Sequence, residues 1–239
     1  MSKTSRRSRS PRGSGELLAV EIIDATTRLL TDSDDVSAVS IRAVADRVGV
    51  TPPAIYLHFA DKEALLDAVC ARYFEQLDTR MALAVDDVAD PVERLLRQGM
   101  EYVRFALSNP VVYRQAFART AAAGTSKIDT VLTAAAFVRF ADSVAELAAA
   151  GLLDAGEVDD VVLQLWTLAH GIASLMIVKP YLTWGDELDF AERTLRSAFL
   201  GRIASDALAG PAPADVPGLL TVADRIRTDS GADSLVKKR

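Results

Sequence analysis

Two histidines and one cysteine are all that this 239-residue chain offers to soft metal chemistry. His58 and His170 stand far apart, and no Cys/His cluster has the spacing of metal ligands. No calcium-loop pattern is present either, so neither a metal nor a cofactor is expected. Cys70 has no second thiol for an internal disulfide, and a single free cysteine fits a reduced, cytoplasmic setting. Clean period-two alternation is missing throughout, which argues against a sheet. A nucleophile elbow and a phosphate-cradling glycine loop are also missing, so the chain carries no enzyme signature. Long apolar runs are scarce. The basic start gives way to only four apolar residues, Leu17 to Val20, too few for a signal peptide. One uncharged stretch remains, Val161 to Val178. Gln164, Thr167, His170 and Ser174 interrupt it, and a buried helix is the better reading than a membrane span.

What is present is ordinary globular composition, 50% hydrophobic and 25% charged. The net charge is −6, which at first argues against a nucleic-acid partner. The distribution reverses that argument. Lys3, Arg6, Arg7, Arg9 and Arg12 are all basic, and no acid accompanies them before Gly13. Removing those five from the 27 basic residues leaves 22 against 33 acids. Binding a polyanion needs a local positive face, not a basic whole. Residues 1–14 read as a disordered basic arm, either one that follows the minor groove or backbone of DNA or a solvated tail, and 209–239 as a flexible, proline-bearing tail.

Between them the periodicity is helical. Leu18, Ile22, Ala25 and Leu29 share one face of a first helix. Ser40 reads as the N-cap of a helix over 41–47, with Gly49 as its stop. Asp61 caps a longer helix from Lys62, Pro91 opens another, and Asn109-Pro110 ends it. A short helix follows near 111–119, then a loop at 124–126. Helices are expected at about 127–149, 157–178 and 187–208. The fold class is all-α: an N-terminal three-helix helix-turn-helix domain (15–62) and a larger helical domain (63–208).

The informative constellation is Ala45, Gly49 and Ile55. Two closely crossing helices need a small residue at the contact, a glycine at the sharp turn, and an aliphatic plug on the second helix. The prolines of "VGVTPPAIYLHF" then make sense. With Thr51 as N-cap, Pro52 and Pro53 fill the first positions, whose N–H groups have no helical partner anyway. The Thr51 hydroxyl is expected to accept from the Ala54 N–H. The proline tip is apolar and stiff, suited to thymine methyls in the major groove.

The segment "SIRAVADRVGVTPPAIYLHFADKEALLDAV", residues 40–69, resembles the DNA-binding domain of the TetR family of bacterial transcriptional regulators. The residues that carry the likeness are Ala45, Gly49, Tyr56-Leu57-His58-Phe59 and Lys62-Glu63-Ala64-Leu65. Asp34-Asp35 departs from it, because the family often has a glycine-aromatic pair after the first helix. The resemblance implies a homodimeric regulator, most often a repressor, on double-stranded DNA with an inverted-repeat operator. It implies phosphate contacts from Thr51, Tyr56, His58 and Lys62, and base contacts from Pro52, Pro53, Ala54 and Leu57. Thr51 and Lys62 also sit at helix starts, where anions are favoured. Arg42 is placed to reach a phosphate or a base edge.

In "LQLWTLAHGIASLMIV" the residues Trp166, His170 and Gly171 form a Trp-x-x-x-His-Gly pattern, similar to the C-terminal domain of one TetR subfamily. "NPVVYRQAF", residues 109–117, is similar to that domain as well. The implied small-molecule effector would be mostly apolar, in a pocket drawn from Met100, Tyr102, Phe105, Tyr113, Phe117, Phe137, Phe140, Trp166 and His170. The helices at 157–178 and 187–208 would form the dimer interface, the second through Leu188, Leu195, Phe199 and Ile203. A helical protein-interaction module is the competing reading. DNA binding indifferent to sequence would favour it.

Overall fold

A computed structural model describes residues 14–118 and 136–207 of the chain. Among these residues there are nine α-helices and no strand, so the chain is all-α. They are α1 (Ser14–Ser33), α2 (Ile41–Val48), α3 (Pro52–Tyr56), α4 (Lys62–Leu83), α5 (Pro91–Ser108), α6 (Pro110–Ala118), α7 (Ala136–Ala149), α8 (Val158–Val178) and α9 (Glu187–Ala207). Short 3-10 turns occur at Val36–Ala38 and Ala155–Glu157. The basic arm (Ser14 excepted), the tail, the loop at 124–126 and the first turns of the helix expected at 127–149 lie outside the described residues.

The local rules read from sequence govern the helix ends. Ser40 Oγ accepts from the Ala43 N–H at 3.1 Å, and Asp61 Oδ1 accepts from the Ala64 N–H at 2.7 Å. Each satisfies one of the orphan donors of a helix start. Asp90 does the same for α5 through the Glu93 N–H at 2.9 Å, with Pro91 at the first helical position. Gly49 ends α2 in the left-handed region, φ +79°, and its N–H returns to the Ala45 carbonyl at 2.9 Å.

Thr51 departs from its expected role. It is the N-cap of α3, but its hydroxyl makes no capping bond; its backbone carbonyl accepts from the Ala54 N–H at 2.9 Å. The two prolines leave so few N–H groups to satisfy that the backbone turn alone suffices, and the hydroxyl is released from capping.

Two cores are joined through α4. Its first half buries Leu65, Leu66, Val69 and Cys70, and its second half Tyr73, Phe74, Leu77 and Met81. The first set packs with Ile22, Ala25 and Leu30 of α1, Val44 and Ala45 of α2 and Ile55 of α3. In the second core α5 lies at the centre, against α4, α7, α8 and α9. The segment Ala155–Val178 is long and apolar enough to cross a membrane by length and composition. Here its inner row, Val161, Leu165, Ala169, Ile172 and Met176, is buried inside the bundle.

One inference from the sequence needs correction. Leu195 and Phe199 were expected to face a partner through α9, but they are 5% and 1% exposed and point into the subunit. The exposed residues of α9 include Leu188, Ser197, Ala198, Leu200 and Gly201. Spacing on a helix identifies rows and does not say which row meets its own subunit.

Because Ile55 is fully buried and Leu57 is 84% exposed, truncation should separate them. Ile55→Ala is expected to cost about 2–5 kcal/mol and Leu57→Ala less than about 0.5 kcal/mol, read from urea unfolding of both variants.

Candidate nucleic-acid interface and aromatic cluster

The α2–turn–α3 unit is held by its inner residues alone. Val44, Ala45 and Ile55 are fully buried, and Ala45 lacks the bulk that would push α3 away. Everything else on α3 faces out. Thr51, Pro52, Pro53, Tyr56 and Leu57 are exposed, and Ala54 and His58 are half-exposed. Arg42 is exposed one position into α2. Of the nine residues singled out for DNA contact, eight are therefore exposed or half-exposed. Exposed apolar side chains on so short a helix have no stabilising function in the fold, which is what a contact surface looks like.

Lys62 is the ninth, and it is partly committed. Its Nζ donates to the Val36 carbonyl at 3.1 Å, and the side chain is half-buried. That bond ties α4 to the Val36–Ala38 turn and leaves two ammonium donors. Phe59, expected as core, packs against it half-buried.

The candidate effector residues divide into groups. Tyr102, Tyr113, Phe117, Trp166 and His170 gather into one aromatic cluster. The His170 ring lies 4.4 Å from Phe117, 5.3 Å from Trp166 and 5.5 Å from Tyr113, centroid to centroid. Phe105 joins through Tyr73, at 4.6 Å. Tyr73, whose spacing from Leu77 puts it on the inner side of α4, is buried as that spacing predicts. Met100 is buried in the general core. Phe140 stands apart: it lines a separate, small apolar pocket with Leu95, Leu96, Gly99, Leu165, Leu195 and Phe199. Phe137 belongs to α7, but its side chain lies outside the described residues.

The cluster has polar content. Tyr113 Oη is 2.8 Å and Tyr102 Oη 3.1 Å from His170 Nδ1. Tyr113 Oη also lies 3.3 Å from the His170 carbonyl. The Tyr102 and Tyr113 rings meet edge to face, 6.4 Å between centroids. Burial pushes the Tyr113 phenol up to about 12 and the Tyr102 phenol well above its ordinary value. Burial also lowers the His170 imidazole below its usual value. The cluster is neutral at pH 7.

Next to Tyr113 on α6, Arg114 turns the other way. Its Nη2 meets Asp34 Oδ1 at 2.5 Å, so α6 touches both the aromatic cluster and the end of α1. No metal-ligating group of three or more His, Cys, Asp or Glu occurs among the described residues.

Comparison with known proteins agrees with this architecture. Residues 22–69 match the bacterial regulatory proteins of the tetR family, and residues 95–207 match the tetracyclin repressor-like C-terminal domain. The chain belongs to the TetR family. It is 32% identical over 97 residues, 41% of its length, to an uncharacterised helix-turn-helix-type transcriptional regulator of Mycobacterium tuberculosis, and spans 48% of that relative. It is 35% identical over 68 residues, 28% of its length, to the helix-turn-helix-type transcriptional repressor KstR2 of the same species, and spans 33% of it. A solved protein of unknown function from Rhodococcus sp. RHA1 superposes with a TM-score of 0.68 at 24% identity, over 82% of this chain and 100% of that one, and shares the fold.

Within the TetR family the Asp34-Asp35 departure has a structural account. Asp34 adopts φ +53° at the end of α1, in the left-handed region where glycine is the usual occupant. Aspartate is among the few side chains that tolerate it. Asp35 caps the following turn, accepting from the Ser37 N–H at 2.8 Å and from the Ser37 hydroxyl. These bonds hold its carboxyl below the usual range, the hydroxyl contributing most.

The buried imidazole makes a pH prediction. His170 is harder to protonate folded than unfolded, so stability is lost as pH falls from about 6.5 through the lowered folded value. Urea unfolding of the native chain and of His170→Gln at pH 7.5 and pH 5 should show a smaller acid loss in the variant. An equal loss would mean His170 titrates normally.

Proposed function

We propose that this chain is a homodimeric transcriptional regulator that acts in the cytoplasm as a repressor. It would bind an inverted-repeat operator and leave it when a small, mostly apolar effector binds. The observation that carries this reading is the division of α3. Ile55 alone anchors it, and Thr51, Pro52, Pro53, Ala54 and Leu57 are presented outward on a stiff apolar tip. Bases would be met by the prolines, Ala54 and Leu57, and phosphates by Arg42, Thr51, Tyr56, His58 and the remaining donors of Lys62. The Thr51 hydroxyl, released from capping, supports that role.

Dimerisation through α8 and α9 is supported by what they leave uncovered. Leu163, Leu175 and Val178 of α8 and Leu200 of α9 are at least half exposed. The small Gly171, Ser174 and Gly201 beside them permit close approach. Two such subunits would present their α3 helices to successive major grooves, roughly 34–36 Å apart. KstR2 is a repressor by name, and repression is the direction adopted here.

The effector would act by shifting a population of dimers toward a spacing that misses the grooves. The physical link is α6. Tyr113 and Phe117 place it in the aromatic cluster, and Arg114 ties it to Asp34 at the end of α1.

Selection of bound sequences from randomised duplex DNA by the pure protein should recover an inverted repeat. Recovery of no consensus would sink the regulator reading. On the recovered site, Arg42→Ala should weaken binding and flatten the salt dependence by about one unit in the log–log slope. An unchanged slope would mean Arg42 touches no phosphate.

A further inference from the structure

The aromatic cluster also dictates what an effector must offer, and this inference rests on the regulatory reading above for its biological role. Tyr102 and Tyr113 both bring their hydroxyls to His170 Nδ1. Tyr113 has the shorter approach, 2.8 Å against 3.1 Å for Tyr102, and when its hydroxyl donates there Nδ1 is the acceptor. Nδ1 has a single in-plane lone pair, so an imidazole that accepts there is a neutral ring with its proton on Nε2.

Nδ1 faces the two buried tyrosine hydroxyls, so Nε2 is on the ring edge turned away from them. The ring is half-buried, and among the described residues no hydrogen bond is made to Nε2. Phe117 and Trp166 stand at the sides of the imidazole, at 4.4 and 5.3 Å between centroids. Among the described residues no ion pair reaches the His170 ring; Arg80 stands over the outlying Phe105 at 5.6 Å and is paired with Glu101, and Arg114 is turned to Asp34.

We propose that His170 Nε2–H is the recognition donor of the effector site, and that it selects an uncharged, flat, conjugated molecule carrying a carbonyl-type acceptor. The apolar ring faces provide stacking area, and Nε2–H provides direction. An anionic ligand would be desolvated beside a neutral imidazole, against whose ring no cation lies among the described residues. A hydrocarbon of the same shape would leave the Nε2–H group without a partner. The donor is fixed from behind, by Tyr113, before any ligand arrives.

The test has two parts, both on the full chain. With only His58 and His170 present, selective nitrogen-15 labelling of histidine and a His58→Gln variant for assignment give the tautomer of His170 directly by NMR. The expected spectrum has a bare Nδ1 and a protonated Nε2; a proton on Nδ1 overturns the proposal. Calorimetric titration with acetophenone, ethylbenzene and benzoate then reads the chemistry. Acetophenone should bind roughly three- to tenfold more tightly than ethylbenzene, the worth of one net hydrogen bond, and more tightly than benzoate. His170→Gln, which keeps an N–H donor, should retain the preference, and His170→Leu should abolish it. Equal binding of the ketone and the hydrocarbon, tightest binding of benzoate, or binding of none of the three overturns it. Tight ketone binding that leaves operator DNA bound would support the site chemistry and overturn the regulatory reading alone.

Discussion

The 22-residue helix α4 belongs to two cores at once, and the rest of the molecule is arranged around that constraint. Leu65, Leu66, Val69 and Cys70 close the small N-terminal core, and Tyr73, Phe74, Leu77 and Met81 close the larger one. Each fully buried apolar side chain of this kind is worth about 1.5–3 kcal/mol, so neither half can detach cheaply. A helix without a break between two packed halves cannot bend freely. A displacement imposed on its second half must therefore appear at its first. Lys62 fixes that first end: its ammonium holds the Val36 carbonyl, and Asp61 caps the helix beside it.

Where local physics decides the outcome, the residues announced it. Ser40, Gly49 and Asp61 fix helix ends through bonds within four residues, Pro91 through its fixed φ at the first helical position, and Ala45 and Ile55 fix a crossing through size alone. These were legible because the same short segment holds cause and effect. The face of α9 was not. Leu195 and Phe199 form a helical row that meets either a partner or its own subunit, and only the placement of α5 decides that it turns inward. The effector residues behaved similarly. Aromatic content said that a cluster existed. It did not say that Phe140 belongs to a different space from Tyr113 and Trp166, because that division depends on which side of α8 each neighbour packs against.

The Tyr102–Tyr113–His170 group also costs something to the fold. Three polar side chains occupy a region where hydrocarbon would pack with less to satisfy. Each of their hydrogen bonds contributes about 0.5–1.5 kcal/mol net, and an unmade one costs as much or more. Such a group fixes the orientation of its members more than it raises stability. Here it fixes the imidazole, which a purely apolar core would leave free to flip. Orientation is useful only to something that reads it, which is the argument for assigning this group to recognition.

The contact between α6 and α1 bears on how weak a coupling element ought to be. Arg114–Asp34 is an exposed ion pair, the class whose measured worth is about 0–1 kcal/mol. As a stabiliser it is negligible against the buried rows of α4. As a link in a switch its weakness is suitable, because coupling between sites is typically about 1–3 kcal/mol in total. A strong tie would hold one arrangement whatever the ligand did. Asp34 stands in the left-handed position where the family often has glycine, so the same residue that ends α1 also supplies the carboxylate for α6. A glycine there would end the helix equally well and leave Arg114 without its partner. In the regulatory reading, the departure from the family pattern adds an electrostatic contact to a junction that otherwise rests on packing alone. Raised salt should loosen that contact while leaving the two cores intact, since screening acts on exposed charge and hardly on buried hydrocarbon.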